Sequence, residues 1–408
     1  MLSRSQVKRN IRAQDSLTCG DNKTMSFEDN IAALNEAFFF REFTFAKNTF
    51  RPKPQNEGEF ADNVIWLDDI LVVYQIKERN APTVTTVELE ERWFTNNVIG
   101  EAKRQIRNTL EYLKICPEIH LKNQRGHVFD LATANLKDLH KVIIYLPHSF
   151  LPQKCLSRKY YRSSTAGIIH LLPAHDYLGL CQTLITPAEL ADYLKFREEL
   201  ITNWEKIVLD VPEQALVGQY LVGDSSIEPS EKFLEAFKTL KQDDADWNMS
   251  GIIRIFAERI TTENPVTNYY PIVTEVAKLK RSELREFKTR LVLSMQKAEK
   301  NEFAQPYRIA FPRTGCGFVF IPVTKDLVEI RINGLKNLTL AHKYDLKLEK
   351  CLGISVASDG AGWFLIDWCF IESPWEPDQE IERFLKDNNL FRQLKVDQIP
   401  VYSFERNS

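Results

Sequence analysis

The most constraining feature of this chain is a dense run of β-forming residues, interrupted at one end by an acid, an amide and an amine. Residues 59–80 read EFADNVIWLDDILVVYQIKERN. Val, Ile, Leu, Tyr and Trp fill two arms, Phe60 to Leu67 and Ile70 to Lys77, and the Asp68-Asp69 pair between them suits a two-residue turn. Folding about that turn brings Asp62 opposite the 75–77 region. Gln75 and Lys77, two apart, share one face of their strand. A carboxylate, an amide and an ammonium gathered at one end of a buried sheet are costly unless paired or bound to a metal. Two readings follow. An Asp62–Lys77 ion pair holds the hairpin at a sheet edge, or Asp62 holds a divalent cation while Lys77 orients water and stabilises a phosphorane-like transition state.

The flanking pattern supplies a context. Ser26 precedes a helical repeat of Phe27, Ile31, Leu34 and Phe38, which predicts a first helix carrying Glu28 and, near its end, Glu36. Phe39 to Phe45 alternates as a strand and carries Glu42, and Arg51 to Gly58 reads as a loop. Residues 80–92 read as a polar loop. A second helix is expected from Asn96 to Leu113, with Val98, Ala102, Ile106, Leu110 and Leu113 in one stripe and Lys103, Arg104, Gln105 and Arg107 on its outer surface. A small hairpin over Glu118 to Leu131 and a buried strand from Lys141 to Pro147 complete the set.

The order helix, strand, strand, strand, helix, strand, with D-x12-Q-x-K on the central hairpin, resembles the PD-(D/E)XK nuclease superfamily. The lineage is the one with Gln in place of the motif acid, and the match covers about residues 25–147. The resemblance implies an α/β fold with a restriction-endonuclease-like αβββαβ core followed by a C-terminal α+β accessory domain. It further implies a Mg²⁺- or Mn²⁺-dependent deoxyribonuclease, with phage defence or restriction as its setting. Carried over residue by residue, the metal ligands would be Asp62, Glu36, Gln75 and the Ile76 carbonyl, and Lys77 would act on water and phosphate. Glu28 and Glu42 are alternatives to Glu36. Lys103, Gln105 and Arg107 would meet the substrate. The Gln is a weaker ligand than the usual acid, which leaves metal number and affinity open. The rival expectation is a catalytically inactive nuclease-fold protein acting as a nucleic-acid- or protein-binding subunit of a larger complex.

Length and composition set the outer bounds. The 408 residues allow two domains, and the expected division is an arm over 1–24, a nuclease-like domain over 25–165 and an accessory domain over 166–408. A formal charge of −3 confines any nucleic-acid contact to a local patch. One basic, aromatic stretch, Leu151 to Ser164, with Lys154, Arg158, Lys159, Tyr160, Tyr161 and Arg162, reads equally as a solvated linker or a phosphate-contacting strip. Seven Cys without a C-x-x-C pair read as reduced thiols of a cytoplasmic protein, and the seven His show no ligand spacing. The basic N-terminus lacks the apolar core of a secretory signal, and no apolar run is long enough to span a membrane. DNA is the expected partner, with a partner protein or a second copy of the chain as further candidates. In the C-terminal half, strands are expected at Tyr307 to Phe311, Gly317 to Val323 and Gly353 to Ala357. A final hairpin should bury Trp363, Phe364, Trp368 and Phe370, and one long helix is expected over Ile272 to Glu299.

Overall fold

The computed structural model describes residues 25–53, 56–79, 85–222, 224–240, 249–259 and 266–393, so the arm over 1–24 lies outside the described residues. The chain is a mixed α/β protein with two compact units, 1–183 together with 250–255, and 184–249 together with 256–408.

In the first unit the expected hairpin forms. Strands β4 (Asn63–Leu67) and β5 (Ile70–Lys77) pair antiparallel across Asp68, whose φ of 54° is a left-handed conformation that Asp tolerates. The first arm is shorter than its apolar run, because Phe60 to Asp62 lie outside the ladder. On one side β1 (Thr44–Ala46) pairs antiparallel with β4. Across the hairpin, β8 (Asp138–Tyr145) pairs parallel with β5, and β10 (Gly167–Pro173) pairs parallel with β8. The far edge is β9 (Tyr160–Ser163), antiparallel to β10, which gives the six-stranded order β1-β4-β5-β8-β10-β9. Two small hairpins stand apart, β2 (Thr49–Lys53) with β3 (Asn56–Glu59), and β6 (His120–Lys122) with β7 (Val128–Asp130).

Helices cover both faces of this sheet. Helix α1 (Phe27–Phe39) is opened by Ser26, whose Oγ accepts the Asp29 N–H at 3.1 Å. It buries Ile31, Asn35 and Phe39. Asn35 Nδ2 donates to Asn63 Oδ1 at 2.7 Å, and the Tyr177 hydroxyl of α4 (Ala174–Thr183) donates to Asn35 Oδ1 at 2.6 Å. The Tyr74 and Tyr177 rings meet edge to face on the same side. The opposite face carries a helical rod. It runs through α2 (Val87–Trp93), a π-helical turn (Phe94–Glu101) and α3 (Ala102–Ile115). Its stripe of Val98, Ala102 and Ile106 packs with Ile143, Tyr145, Ile169 and Leu171 of the sheet.

The second unit has its own sheet. Strands β11 (Tyr307–Phe311), β12 (Cys316–Val323), β13 (Lys350–Ser358) and β14 (Phe364–Glu372) pair antiparallel, parallel and antiparallel in that order. Before it, α5 (Pro187–Asn203) and α6 (Glu213–Val222) are joined by a buried ion pair, Arg197 Nε to Glu213 Oε1 at 2.7 Å. Helices α7 (Tyr270–Ala277) and α8 (Arg281–Glu299) follow, then α9 (Arg331–Asp345) between β12 and β13. Gly353 lets α9 close on β13, since a Cβ there would meet Thr339 Oγ1 at 1.9 Å.

Several sequence expectations change in the fold. The strand at Gly167–Pro173 joins the first sheet, so the compact units divide between Thr183 and Leu184 and not at 165. Residues 87–92 are helical because the Thr86 hydroxyl caps Leu89 N–H. Phe39 ends α1 and does not begin a strand, since its ring belongs to the helix's buried face. The single helix over 272–299 is interrupted at 278–280, where Glu283 reaches back to the Lys280 N–H as a capping box. Trp363 is 74% exposed, and Phe364, Trp368 and Phe370 are half-buried. Phe287, Phe311, Phe318 and Phe320 form the aromatic core of the second sheet in their place.

The Asn35 junction can be tested. Tyr177→Phe removes one hydroxyl and strands the buried Asn35 Oδ1, so chemical denaturation should show a loss of about 1–3 kcal/mol with an unchanged denaturant slope.

Candidate functional site

Where β4 stops short, β5 continues, and its Ile76 N–H has lost the main-chain partner a longer β4 would offer. The Asp62 carboxylate takes that place, with Oδ2 accepting the Ile76 N–H at 2.6 Å. The segment carrying Asp62 is pinned at Phe60, whose N–H donates to Asn48 O at 3.2 Å and whose carbonyl accepts the Thr109 hydroxyl at 2.6 Å. A strand residue's N–H and C=O point the same way, so the Ile76 carbonyl also lies on the side that β4 has vacated. Asp62 is 7% exposed and Gln75 2% exposed. Gln75 Oε1 has no hydrogen-bond partner among the described residues. Lys77 is half-buried at the end of β5 and, among the described residues, forms no ion pair. Asp62 and Lys77 therefore feel each other's charge without being bonded to each other.

The acids around them are not all those expected. Glu36 is paired with Arg41. Glu42 is buried against Arg125, Oε1 to Nε at 2.8 Å, and has a structural role. The first-helix acid that reaches the group is Glu28. It stands at the start of α1, about 12 Å of helix before Glu36, where its charge and those of Asp62 and Lys77 act on one another. The Phe27 N–H donates to Glu78 Oε1 at 3.2 Å, which brings the start of α1 to the end of β5. Glu59, at the end of β3, is a further acid that periodicity could not single out.

The electrostatics bind these groups together. Burial raises the Asp62 carboxyl above its usual range; the Ile76 N–H and Lys77 oppose the shift, and Glu101 adds to it. Glu28 is raised by dehydration and then by the Asp62 charge. Glu59 is pushed up to about 7 by dehydration, then by Asp62 and Glu28.

A cleft of ≈ 60 Å³ opens here, with Glu59, Asp62, Gln75, Gln105, Asn108 and Tyr112 in its lining. Of the residues expected to meet substrate, Gln105 is in the cleft, and its Oε1, like that of Gln75, has no partner among the described residues. Lys103 and Arg107 lie elsewhere. Lys103 sits over the Tyr161 ring, and Arg107 points to solvent. Gln105, Asn108 and Tyr112 fall at i, i+3 and i+7, a polar flank of α3 of which only Gln105 was singled out from the sequence. The π-helical turn ends at Glu101, and such turns recur at functional sites.

This donor set is all oxygen: Asp62, Glu28, Glu59, the Gln75 amide and the Ile76 carbonyl. Hard oxygen ligands fit Mg²⁺ or Mn²⁺ and do not favour a thiophilic metal. Two orphaned amide oxygens, and acids that raise one another's proton affinity, are groups whose cost a divalent cation would offset, although the three carboxylates do not lie within 4.8 Å of one another. No protein-family model matches the chain, and no curated protein or solved structure matches it either.

Each of these acids holds its proton more tightly folded than unfolded. For Glu59 the stabilising contribution is full below about 4.5 and is lost as pH rises through about 7. Metal-free protein should therefore show a melting temperature that falls across that window, and Glu59→Gln should flatten the fall. Added Mg²⁺ should raise the melting temperature more above pH 7 than below it, because the ligands must first lose their protons.

Proposed function

We propose that this protein is a Mg²⁺- or Mn²⁺-dependent nuclease that hydrolyses phosphodiester bonds of DNA, with a restriction-endonuclease-like αβββαβ core. The observation that carries the reading is the bonding of Asp62. A structural ion pair would join it to Lys77, but Asp62 is held by the Ile76 N–H, and Lys77 is left without a partner ion among the described residues. Alongside, with the small hairpins β2–β3 and β6–β7 and helix α2 set aside, the order α1, β1, β4, β5, α3, β8 resembles that of the PD-(D/E)XK superfamily, with D-x12-Q-x-K at the hairpin's open end. A role in phage defence or restriction rests on that resemblance.

Asp62, Glu28 and Glu59, with Gln75 and the Ile76 carbonyl, would hold the cation. When bound, the cation supplies Lewis acidity, neutralising phosphate charge and making water a better nucleophile. The chain's own groups do the rest. The Ile76 N–H fixes the rotamer of Asp62, so the carboxylate is oriented before any ligand arrives. Lys77, without an ion-pair partner among the described residues, can donate to a phosphate oxygen as negative charge builds there. Gln105 also lines the cleft, where its amide can orient the phosphate or a water molecule.

A cleavage assay on plasmid and single-stranded DNA with Mg²⁺ or Mn²⁺ tests the reading. Asp62→Asn keeps an acceptor for the Ile76 N–H and removes the charge, so it should fold, lose metal binding by calorimetry and lose cleavage. Lys77→Ala should lose cleavage and keep metal binding, or tighten it, because a cation that repels the metal has gone. If both variants bind metal like wild type and both lose about 3–5 kcal/mol of stability, the groups form a structural charge pair and the nuclease reading fails. Intact metal binding with no cleavage of any DNA by wild type would favour the inactive, nucleic-acid-binding alternative.

A further inference from the structure

Helix α3 has two chemically distinct flanks. One bears Gln105, Asn108 and Tyr112 and lines the cleft. The other bears Lys103 and Arg107 and turns towards β9, the edge strand of the sheet. There Lys103 Nζ lies 4.9 Å from the centre of the Tyr161 ring and 3.3 Å from its hydroxyl. The Arg158 guanidinium lies over the same ring, 5.6 Å from its centre. Two cations thus lie against one aromatic ring. Neither forms an ion pair among the described residues, Arg158 is exposed, and Arg107 on the same flank is exposed and likewise unpaired.

Two like charges beside one ring repel each other, and the ring's negative face offsets only part of that cost. An anion between them would complete the arrangement, with the Tyr161 hydroxyl as a further donor. Lys103, Arg158 and Arg107 offer only donors, set along one flank of α3 and beside β9, so the anion the strip suits is a phosphate of a linear polyanion. We propose that Lys103, Arg158 and Tyr161 bind a backbone phosphate of the nucleic-acid strand, away from the phosphate that enters the cleft. This rests on the nuclease reading for its substrate, but the strip is physically separate from the acids. The strand would cross the face of α3, entering at the carboxamide flank and leaving over the basic flank.

Fluorescence anisotropy with a labelled oligonucleotide, single-stranded or as its duplex, tests this with Ca²⁺ in place of Mg²⁺. The paired substitution Lys103→Gln/Arg158→Gln should weaken binding about tenfold. It should also lower the slope of log affinity against log salt by about 1, the signature of one lost phosphate contact. Metal binding by calorimetry and the melting temperature should be unchanged, since both side chains lie outside the cleft. If wild type cleaves DNA in a metal-dependent way while the paired variant binds the oligonucleotide with unchanged affinity and salt slope, the strip is overturned and the nuclease reading survives. If wild type does not cleave but the variant still loses affinity, the nuclease reading fails and the strip stands. No oligonucleotide binding by wild type overturns the strip.

Discussion

The hydrogen bond from the Ile76 N–H to Asp62 is the constraint on which the first unit's chemistry depends. It exists because β4 stops at Asn63 while β5 runs on to Lys77. A buried strand N–H cannot be left without an acceptor, at a cost of about 1–3 kcal/mol. A side-chain carboxylate therefore stands where a main-chain carbonyl would. That substitution brings a charge into the sheet interior at the point where the neighbouring ladder opens. It also fixes the carboxylate's direction, and with it the space that Gln75 and Lys77 share.

Everything else at this end of the sheet is arranged around that charge. The Asn35–Asn63–Tyr177 chain ties α1 and α4 to the first residue of β4, one position after Asp62. Thr109 holds Phe60 from the other face. The acid group is thus clamped from both helical layers, and its members repel one another through low-dielectric surroundings. Glu28 and Glu59 are raised by burial and then by the Asp62 charge, and Asp62 by burial and Glu101, an arrangement that stability alone does not favour. Arg125 against Glu42 and Arg197 against Glu213 show how the same chain treats buried acids with a structural role: each receives an arginine within 2.8 Å.

The hairpin was legible because its logic is local. Alternation fixes Gln75 and Lys77 on one face of β5 whatever the strand packs against, and a two-residue connection fixes which residues oppose them. The helical stripe of Val98, Ala102 and Ile106 was equally local, as was the final pairing of β13 with β14 across its Gly-rich turn. The identity of the helix acid was not. Glu28 and Glu36 both lie on one amphipathic helix, and only the docking of the helix start against the end of β5 decides which of them meets Asp62.

The sequence by itself therefore determined the backbone periodicities, the turn at Asp68 and the convergence of Asp62, Gln75 and Lys77. Tertiary structure decided the remainder. It chose Glu28 over Glu36, brought in Glu59 from a small hairpin, and placed Gln105 in the cleft while turning Lys103 to Tyr161. It also carried the first sheet past residue 165 by pairing β10 with β8. The physical reason is range. Side-chain parity along a strand is set by covalent geometry, whereas the rotation of a docked helix and the partner of a parallel strand are set by packing between residues far apart in the chain.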